Sequence, residues 1–148
     1  MSTMSKDKGA RGETQVRDYL RLATGLGFER TPSSGALNIV GLKGDLFVPN
    51  HNNLFTIEVK FYEADEFSTK ILSGKGTFID WWNQTVREAK HNKNEPMLIY
   101  KWNRSKLYFV LPDYVQTGCE NYIAIGRLNA RIYAGEELNL KKLFGVIN

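Results

Sequence analysis

The hydrophobic positions near the start of the chain recur with the period of an α-helix. In residues 10–24, Val16, Leu20 and Ala23 share one face, and polar residues occupy most of the opposite face. This is the pattern of an amphipathic helix that packs on a core by a single stripe. The glycines of the "GLGF" stretch that follows are typical of a helix end. The pattern therefore predicts one helix at the start of the domain.

A second helical stripe occupies residues 77–91, between apolar runs that predict strands. Its inward positions are Phe78, Trp81, Trp82, Thr85, Val86 and Ala89. The runs 44–48, 54–62, 96–102 and 106–112 have turn-rich borders, and "PNHNN" joins the first two as a hairpin. The order of helix, strands, helix and strands predicts an α/β domain with a mixed central β-sheet flanked by helices.

The length of 148 residues fits one domain with one core. Residues 63–76 are mostly polar and predict a mobile loop. After Asp113 the pattern predicts a short helix, a strand within 121–133 and a helical turn within 136–144. We therefore expect residues 1–148 to form a single domain.

Two charged residues interrupt the hydrophobic strand "LFTIEVKFY". Because alternate side chains of a strand share a face, Glu58 and Lys60 project together, roughly 7 Å apart along the strand. The predicted hairpin brings Asp45 close to Glu58, and Glu13 falls on the inward stripe of the first helix, where a carboxylate is unusual. Neighbouring carboxylates repel each other, and oxygen ligands of this kind suit Mg²⁺. The sequence therefore predicts a metal site of three carboxylates and a lysine.

The same residues also have structural interpretations. Glu58 and Lys60 are compatible with an ion pair on one face of the sheet. Asp45 is compatible with simple turn chemistry, and Glu13 with a carboxylate that is favoured at a helix N-terminus by the macrodipole.

The motif "GD" (Gly44-Asp45), about a dozen residues, and then "EVK" (Glu58-Val59-Lys60) resembles that of the PD-(D/E)xK nuclease superfamily. One departure is Gly44, which stands where the superfamily label has Pro. The resemblance implies a restriction-endonuclease-like fold and metal-dependent hydrolysis of phosphodiester bonds.

Further segments resemble the archaeal-type Holliday junction resolvases within that superfamily. They are the helix "GARGETQVRDYL" with Glu13, the segment "SSGALN", the helix with Gln84, and the hairpin "PMLIYKW…KLYFVLP". The resemblance covers about residues 8–112, with an insertion-like segment at 68–76, and leaves 113–148 as a C-terminal extension of the same domain. It implies a crossover junction endodeoxyribonuclease that acts on four-way DNA junctions.

The resemblance also implies a role for each residue of the predicted site. Asp45 and Glu58 would hold Mg²⁺, which Mn²⁺ replaces, together with the backbone carbonyl of Val59. Glu13 would complete the metal shell directly or through water. Lys60 would orient the attacking water and ease its deprotonation. Ser34 would lie near the scissile phosphate, and Gln84 would steady Lys60 or contact the phosphate.

The chain is basic, with a formal net charge of +4 and a pI of about 9.2. This balance suits a nucleic-acid partner but equally suits scattered solvated lysines. If DNA is the partner, we expect these residues to contact it: Lys8, Arg11, Ser33, Lys70, Lys75, Arg87 and Lys90.

A four-way junction has approximate twofold symmetry and two strands to cut, so the resemblance implies a homodimer. Trp81 and Trp82 suit either the core or a dimer surface, and exposed side chains among them and Phe78, or on the hairpin strands, would form the interface. Two alternatives stay open. One is a nuclease of the same fold that cuts other branched, nicked or linear DNA, and the other is a DNA-binding protein without catalysis.

Other functions are disfavoured by composition. No apolar run approaches the roughly 18 residues needed to span a bilayer, and the polar N-terminus does not resemble a signal peptide. The single Cys119 cannot form an intramolecular disulfide, which predicts a cytoplasmic, reducing location. "SGKGT" lacks the residues of a phosphate-binding loop around Lys75, so no small-molecule cofactor is expected. A small enzyme of this kind suits a phage or an archaeon.

Overall fold

Seven strands, three α-helices and three short 3-10 helices make up the regular structure of residues 3–32 and 42–147, which are the parts of the chain that this computed structural model describes. The elements are α1 (Thr3–Thr24), β1 (Glu29–Arg30), β2 (Leu46–Phe47), β3 (Phe55–Tyr62), α2 (Thr77–Asn92), β4 (Glu95–Trp102), β5 (Tyr108–Pro112), β6 (Ile123–Ile125), β7 (Ala130–Ala134) and α3 (Leu140–Leu143). None of the described helices has both the length and the hydrophobicity needed to cross a lipid bilayer.

The strands form one mixed sheet in the order β1-β2-β3-β4-β5-β7-β6. Strands β3 and β4 are parallel, from Phe55 beside Glu95 to Tyr62 beside Trp102, and α2 is the crossover between them. The other neighbouring strands are antiparallel, including the predicted hairpin of β2 and β3. The predicted α/β architecture with a mixed central sheet is therefore confirmed.

The two faces of β3 contact different hydrophobic layers, as its alternating pattern predicts. Phe55, Ile57 and Val59 belong to the layer that also contains residues of α1 and α3. Helix α2 covers the opposite face of the sheet, where Trp81 packs against Tyr100 with ring centroids 6.1 Å apart. Glu58 and Lys60 have side chains on the α2 side by the same alternation. Strand β3 thus places the side chains of Glu58 and Lys60 on the face of the sheet that α2 covers.

The aromatic residues of α2 are core residues. Trp81 and Trp82 are only 5% and 3% exposed, and Phe78 is fully buried. Of the two interpretations, core or dimer surface, the structure therefore supports the core, because α2 lies along the sheet and turns its wide apolar stripe inward.

Two segments are more regular than their sequence predicts. The predicted loop at 63–76 contains a 3-10 helix (Thr69–Ser73) with a buried Ile71. The Arg127 guanidinium fastens this segment by donating two hydrogen bonds, of 2.9 and 3.2 Å, to the Leu72 carbonyl oxygen. In the C-terminal part, β6 and β7 take the place of one predicted strand, and β7 extends the main sheet by pairing with β5.

Candidate active site

Asp45 lies immediately before the short strand β2 and is held by its backbone and its side chain. Its N–H donates to the Ile57 carbonyl oxygen at 2.7 Å, and its carbonyl oxygen accepts from the Thr31 N–H at 2.8 Å. Its carboxylate oxygen Oδ2 accepts the backbone N–H of Val59 at 2.8 Å. Strand β2 has only two residues. The Asp45 side chain therefore accepts the hydrogen bond from the Val59 N–H that a backbone carbonyl of a longer strand would have accepted. These contacts do not support the simple-turn interpretation of Asp45.

The backbone conformation of Gly44 explains the departure from the superfamily label. Its φ is +98°, whereas proline requires φ near −65°. A Cβ atom at this position would lie 3.0 Å from Cγ2 of Thr56 and 3.2 Å from the carbonyl oxygen of Ile57. Glycine therefore lets the chain pass close to β3 immediately before Asp45.

Glu58 is buried to 3% exposure in the middle of β3. Its carboxyl group makes side-chain hydrogen-bonding contacts with Glu88 of α2 and with Asp45. Burial, the contact with Glu88 and the charge of Asp45 raise the pKa of Glu58 to about 11. The pKa of Asp45 is also raised, mainly by burial, although the hydrogen bond from Val59 acts in the opposite direction. With so high a pKa, the Glu58 carboxyl keeps its proton at neutral pH until a cation replaces it.

Lys60 lies close enough to Asp45 and to Glu13 to lower the pKa of both carboxyls. None of the ion pairs found in the described part of the chain joins Lys60 to Glu58, so the structural ion-pair interpretation is not supported. The N–H and C=O groups of one strand residue point to the same edge. The carbonyl of Val59 therefore faces the edge on which Asp45 lies.

Glu13 reaches this edge from α1, and its carboxylate oxygen Oε1 lies 3.2 Å from Nε of Arg30. Burial and then the charge of Asp45 raise the pKa of Glu13, and Arg30 and Lys60 lower it. Helix α1 begins at Thr3, so Glu13 lies roughly 15 Å along its axis. The N-terminal macrodipole explanation is therefore wrong, since that effect fades within the first turn.

Glu88 is the residue of this cluster that sequence reasoning missed. A signal was present, because Trp81, Thr85 and Glu88 follow the spacing of one helix face. The predicted Gln84 lies one turn away and is half-buried, with no hydrogen bond to Lys60 among the described residues. The α2 side chain that reaches the Glu58 carboxyl is that of Glu88.

Of these residues, Glu13, Asp45 and Glu88 border a cleft of about 480 Å³ at the edge of the sheet. It is lined by Glu13, Arg30, Thr31, Pro32, Leu42, Lys43, Gly44, Asp45 and Glu88. Arg30 and Lys43 are basic residues that the sequence analysis did not select. An open, polar cleft with carboxylates and flanking cations suits an anionic substrate that is held through a metal ion.

The residues predicted to contact DNA do not line this cleft in the described part of the chain. Arg11, Lys70, Lys75, Arg87 and Lys90 are exposed on α1, on and beside the 3-10 helix, and on α2. Lys8 belongs to α1, but its side chain lies outside the described part, as do Ser33 and Ser34. Their predicted DNA contacts remain predictions.

The chemistry of the cleft fits a hard divalent cation. No group of three or more His, Cys, Asp or Glu side chains in the described part of the chain is placed so that it could hold a metal ion by itself. However, Asp45 and Glu58 contact each other, the Val59 carbonyl faces the same edge, and Oε2 of Glu88 is buried without a hydrogen-bond partner among the described residues. Carboxylate and carbonyl oxygens are the ligands of Mg²⁺, which also keeps several water molecules.

A mixed sheet with an aspartate at the entry to one strand and a Glu-x-Lys sequence on the next is the arrangement typical of PD-(D/E)xK nucleases. The chain belongs to the family described as "Phage putative PDDEXK endonuclease", whose model matches residues 4–144. It is 41% identical over 116 residues to Protein D14 of Escherichia phage T5, an alignment that covers 75% of this chain and 72% of that protein.

Among solved structures, the chain resembles Archaeoglobus fulgidus Hjc, a Holliday junction resolvase from an archaeal hyperthermophile. The TM-score is 0.47 and the identity 18%, over 94% of this chain and 88% of that one. The family establishes the enzyme class: the protein is an endonuclease, a phosphodiester hydrolase that acts on DNA. PD-(D/E)xK nucleases generally use divalent metal ions, which agrees with the oxygen-rich cleft.

Proposed function

We propose that this endonuclease is a Mg²⁺-dependent, structure-selective enzyme that resolves four-way DNA junctions as a homodimer of single-domain chains. One observation carries the catalytic part of the proposal. The Asp45 carboxylate is anchored on the Val59 N–H at 2.8 Å, beside the buried Glu58 and within electrostatic reach of Lys60. This is the arrangement in which two acidic side chains and an amine act on one phosphate.

The cation would be held by Asp45 and Glu58, with the Val59 carbonyl and Glu13 completing its surroundings directly or through water. When bound, a divalent cation lowers the pKa of a coordinated water and neutralises charge on the phosphoryl oxygens. Lys60 orients the attacking water and stabilises its deprotonated form, because an ammonium group favours a neighbouring anion. Arg30 and Lys43 lie at the cleft, where they bind phosphate oxygens and position the strand.

The choice of a four-way junction rests on the sequence resemblance of α1, of the "SSGALN" segment and of the helix with Gln84 to the archaeal-type resolvases. The basic surface is distributed over several elements, as suits an enzyme that contacts several backbone segments. Branched DNA offers no fixed base sequence, so recognition by shape and backbone is expected. Ser34 near the scissile phosphate and Ser33 among the DNA contacts are parts of this proposal.

The test is cleavage of a labelled synthetic four-way junction in Mg²⁺, in Mn²⁺ and in EDTA, beside linear, nicked and flapped duplexes with the same arm sequences. We expect symmetric paired nicks near the crossover, no cleavage in EDTA, and no cleavage by Asp45→Asn although that variant still binds the junction. Faster cleavage of the linear, nicked or flapped duplex than of the junction would contradict junction resolution. The enzyme would then be a nuclease that acts on that kind of duplex.

The homodimer is tested separately by measuring the mass of the protein in solution, free and bound to the junction. Two chains per junction are expected, because one site per chain must cut two strands. A single chain on the junction, with unpaired nicks, would contradict resolution as the activity.

A further inference from the structure

Glu88 occupies a position that does not favour a carboxylate. It lies in the last turns of α2, which ends at Asn92. Negative charge is disfavoured near a helix C-terminus because the macrodipole is negative there. The basic Lys90 and His91 at this end follow the usual preference, and Glu88 opposes it.

The surroundings of Glu88 increase this cost. Its Oε2 atom is buried and has no hydrogen-bond partner among the described residues. Its carboxyl group contacts that of Glu58, which is itself 3% exposed and in contact with Asp45. Buried carboxyls that meet without a compensating cation destabilise a fold. Residues that break local rules of stability are concentrated at functional sites.

Glu88 also lines the same cleft as Glu13, Arg30 and Asp45. It enters the cleft from α2, whereas Asp45 and Glu58 belong to the hairpin and Glu13 to α1. The cleft therefore has carboxylates on three of its sides.

From this geometry we infer that Glu88 is part of the divalent-cation site, where it positions the Glu58 carboxylate and turns a further anionic oxygen towards the cation. The inference rests on the proposed metal-dependent function and adds to it a residue of α2. It also gives the buried, unpartnered Oε2 atom of Glu88 a physical reason, because a bound cation would supply the partner that this oxygen lacks.

The experiment measures Mn²⁺ affinity of the full chain by titration calorimetry, without DNA. Glu88→Gln keeps the shape of the side chain and removes its charge. We expect it to weaken Mn²⁺ binding by roughly 10- to 100-fold, the usual effect of removing a residue that supports a metal ligand. The control is Asp80→Asn, on the first turn of the same helix and exposed, which should bind Mn²⁺ like the unsubstituted chain.

Thermal unfolding in EDTA separates lost binding from lost folding. Glu88→Gln should still fold, because glutamine keeps the shape of the side chain and its carbonyl oxygen can accept the hydrogen bond of the protonated Glu58, and it should gain less stability from added Mn²⁺. Equal Mn²⁺ affinity of Glu88→Gln and the unsubstituted chain would overturn the inference and leave the proposed function intact. If the unsubstituted chain binds Mn²⁺ and Glu88→Gln does not, but neither cuts junctions, the inference holds and the proposed substrate is wrong.

Discussion

Asn92 and Lys43, 49 residues apart in the chain, exchange two hydrogen bonds. The Lys43 N–H donates to Asn92 Oδ1 at 3.0 Å, and Asn92 Nδ2 donates to the Lys43 carbonyl oxygen at 2.9 Å. The same amide nitrogen donates to Thr56 Oγ1 at 2.8 Å. The last residue of α2 thus holds the segment that leads into Asp45 against β3.

These hydrogen bonds of Asn92 with Lys43 and Thr56 form a clamp. We predict that Asn92→Ala loosens the position of Asp45 without changing any of the reacting groups. We expect the free energy of unfolding to fall by about 1–3 kcal/mol, since the Lys43 backbone loses its partners. Cleavage should fall by roughly 10-fold, because a catalytic group that is displaced slightly loses its alignment. The adjacent, exposed His91→Ala is the control, and equal cleavage by the two variants would show that the clamp does not position Asp45.

Gly12 lets α1 approach β3 where Glu13 enters the cleft. A Cβ atom at Gly12 would lie 2.8 Å from Cγ of Phe61. Gly12→Ala should therefore push α1 outwards and lower both stability and cleavage. Gly9→Ala, with nothing within 4 Å of its added Cβ, should stabilise α1 by about 0.5–1 kcal/mol. Denaturant unfolding of both variants measures these opposite changes in stability. If both variants are more stable than the unsubstituted chain, helix propensity alone determines the effect and the close approach at Gly12 does not matter.

The buried Glu58 predicts how the stability of the metal-free protein depends on pH. Its pKa rises from 4.5 to about 11 on folding. The folded state therefore binds the proton more tightly, so this contribution is complete below pH 4.5 and is lost as the pH rises towards 11. The loss is at most about 1.4 kcal/mol per pH unit.

Unfolding temperatures in EDTA between pH 5 and pH 9 test this sign. The unsubstituted chain should lose stability with rising pH relative to Glu58→Gln, whose side chain does not titrate. Glu120→Gln, an exposed substitution, should follow the unsubstituted profile. A Glu58→Gln profile parallel to that of the unsubstituted chain would show that Glu58 is not the titrating group.

Lys60 is predicted to act in the chemical step and not in holding DNA. Lys60→Ala should lower the cleavage rate by roughly 10²- to 10⁴-fold, the contribution of a positioned proton-transfer group, while junction binding stays nearly unchanged. Single-turnover cleavage and binding assays on the same preparation separate the two effects. Equal losses in both would make Lys60 a phosphate-binding or structural residue.

Arg30 is predicted to contact phosphate, because its guanidinium lies at the cleft beside Glu13. Arg30→Ala should weaken binding to junctions of every sequence and reduce the slope of log affinity against log salt by about 1. Lys141→Ala, exposed on α3, is the control. An unchanged slope for Arg30→Ala would limit Arg30 to orienting Glu13.

The hydrophobic pattern was sufficient to predict the order of the main elements from α1 to β5, apart from the two-residue β1, and the central group of the candidate site. Asp45, Glu58 and Lys60 follow from the period of a strand and one hairpin, which are local properties. The outer members were harder to predict. Arg30 is on a two-residue strand, which is too short to give any periodic signal. The aromatic stripe of α2 suited either the core or an exposed interface, so the sequence did not determine whether those side chains are buried.

By itself the sequence determined which side chains share a face of each element, because that depends only on helical and strand periods. Only the tertiary structure decided which faces and edges meet. It brought Glu88 of α2 onto Glu58 and not Gln84 onto Lys60, and it placed Glu13 well inside a helix and not at its beginning. The physical reason is that these contacts depend on the crossover of α2, the close approach of α1 at Gly12 and the left-handed turn at Gly44. Each of these joins segments that are distant in the chain, and no local pattern encodes their distance or orientation.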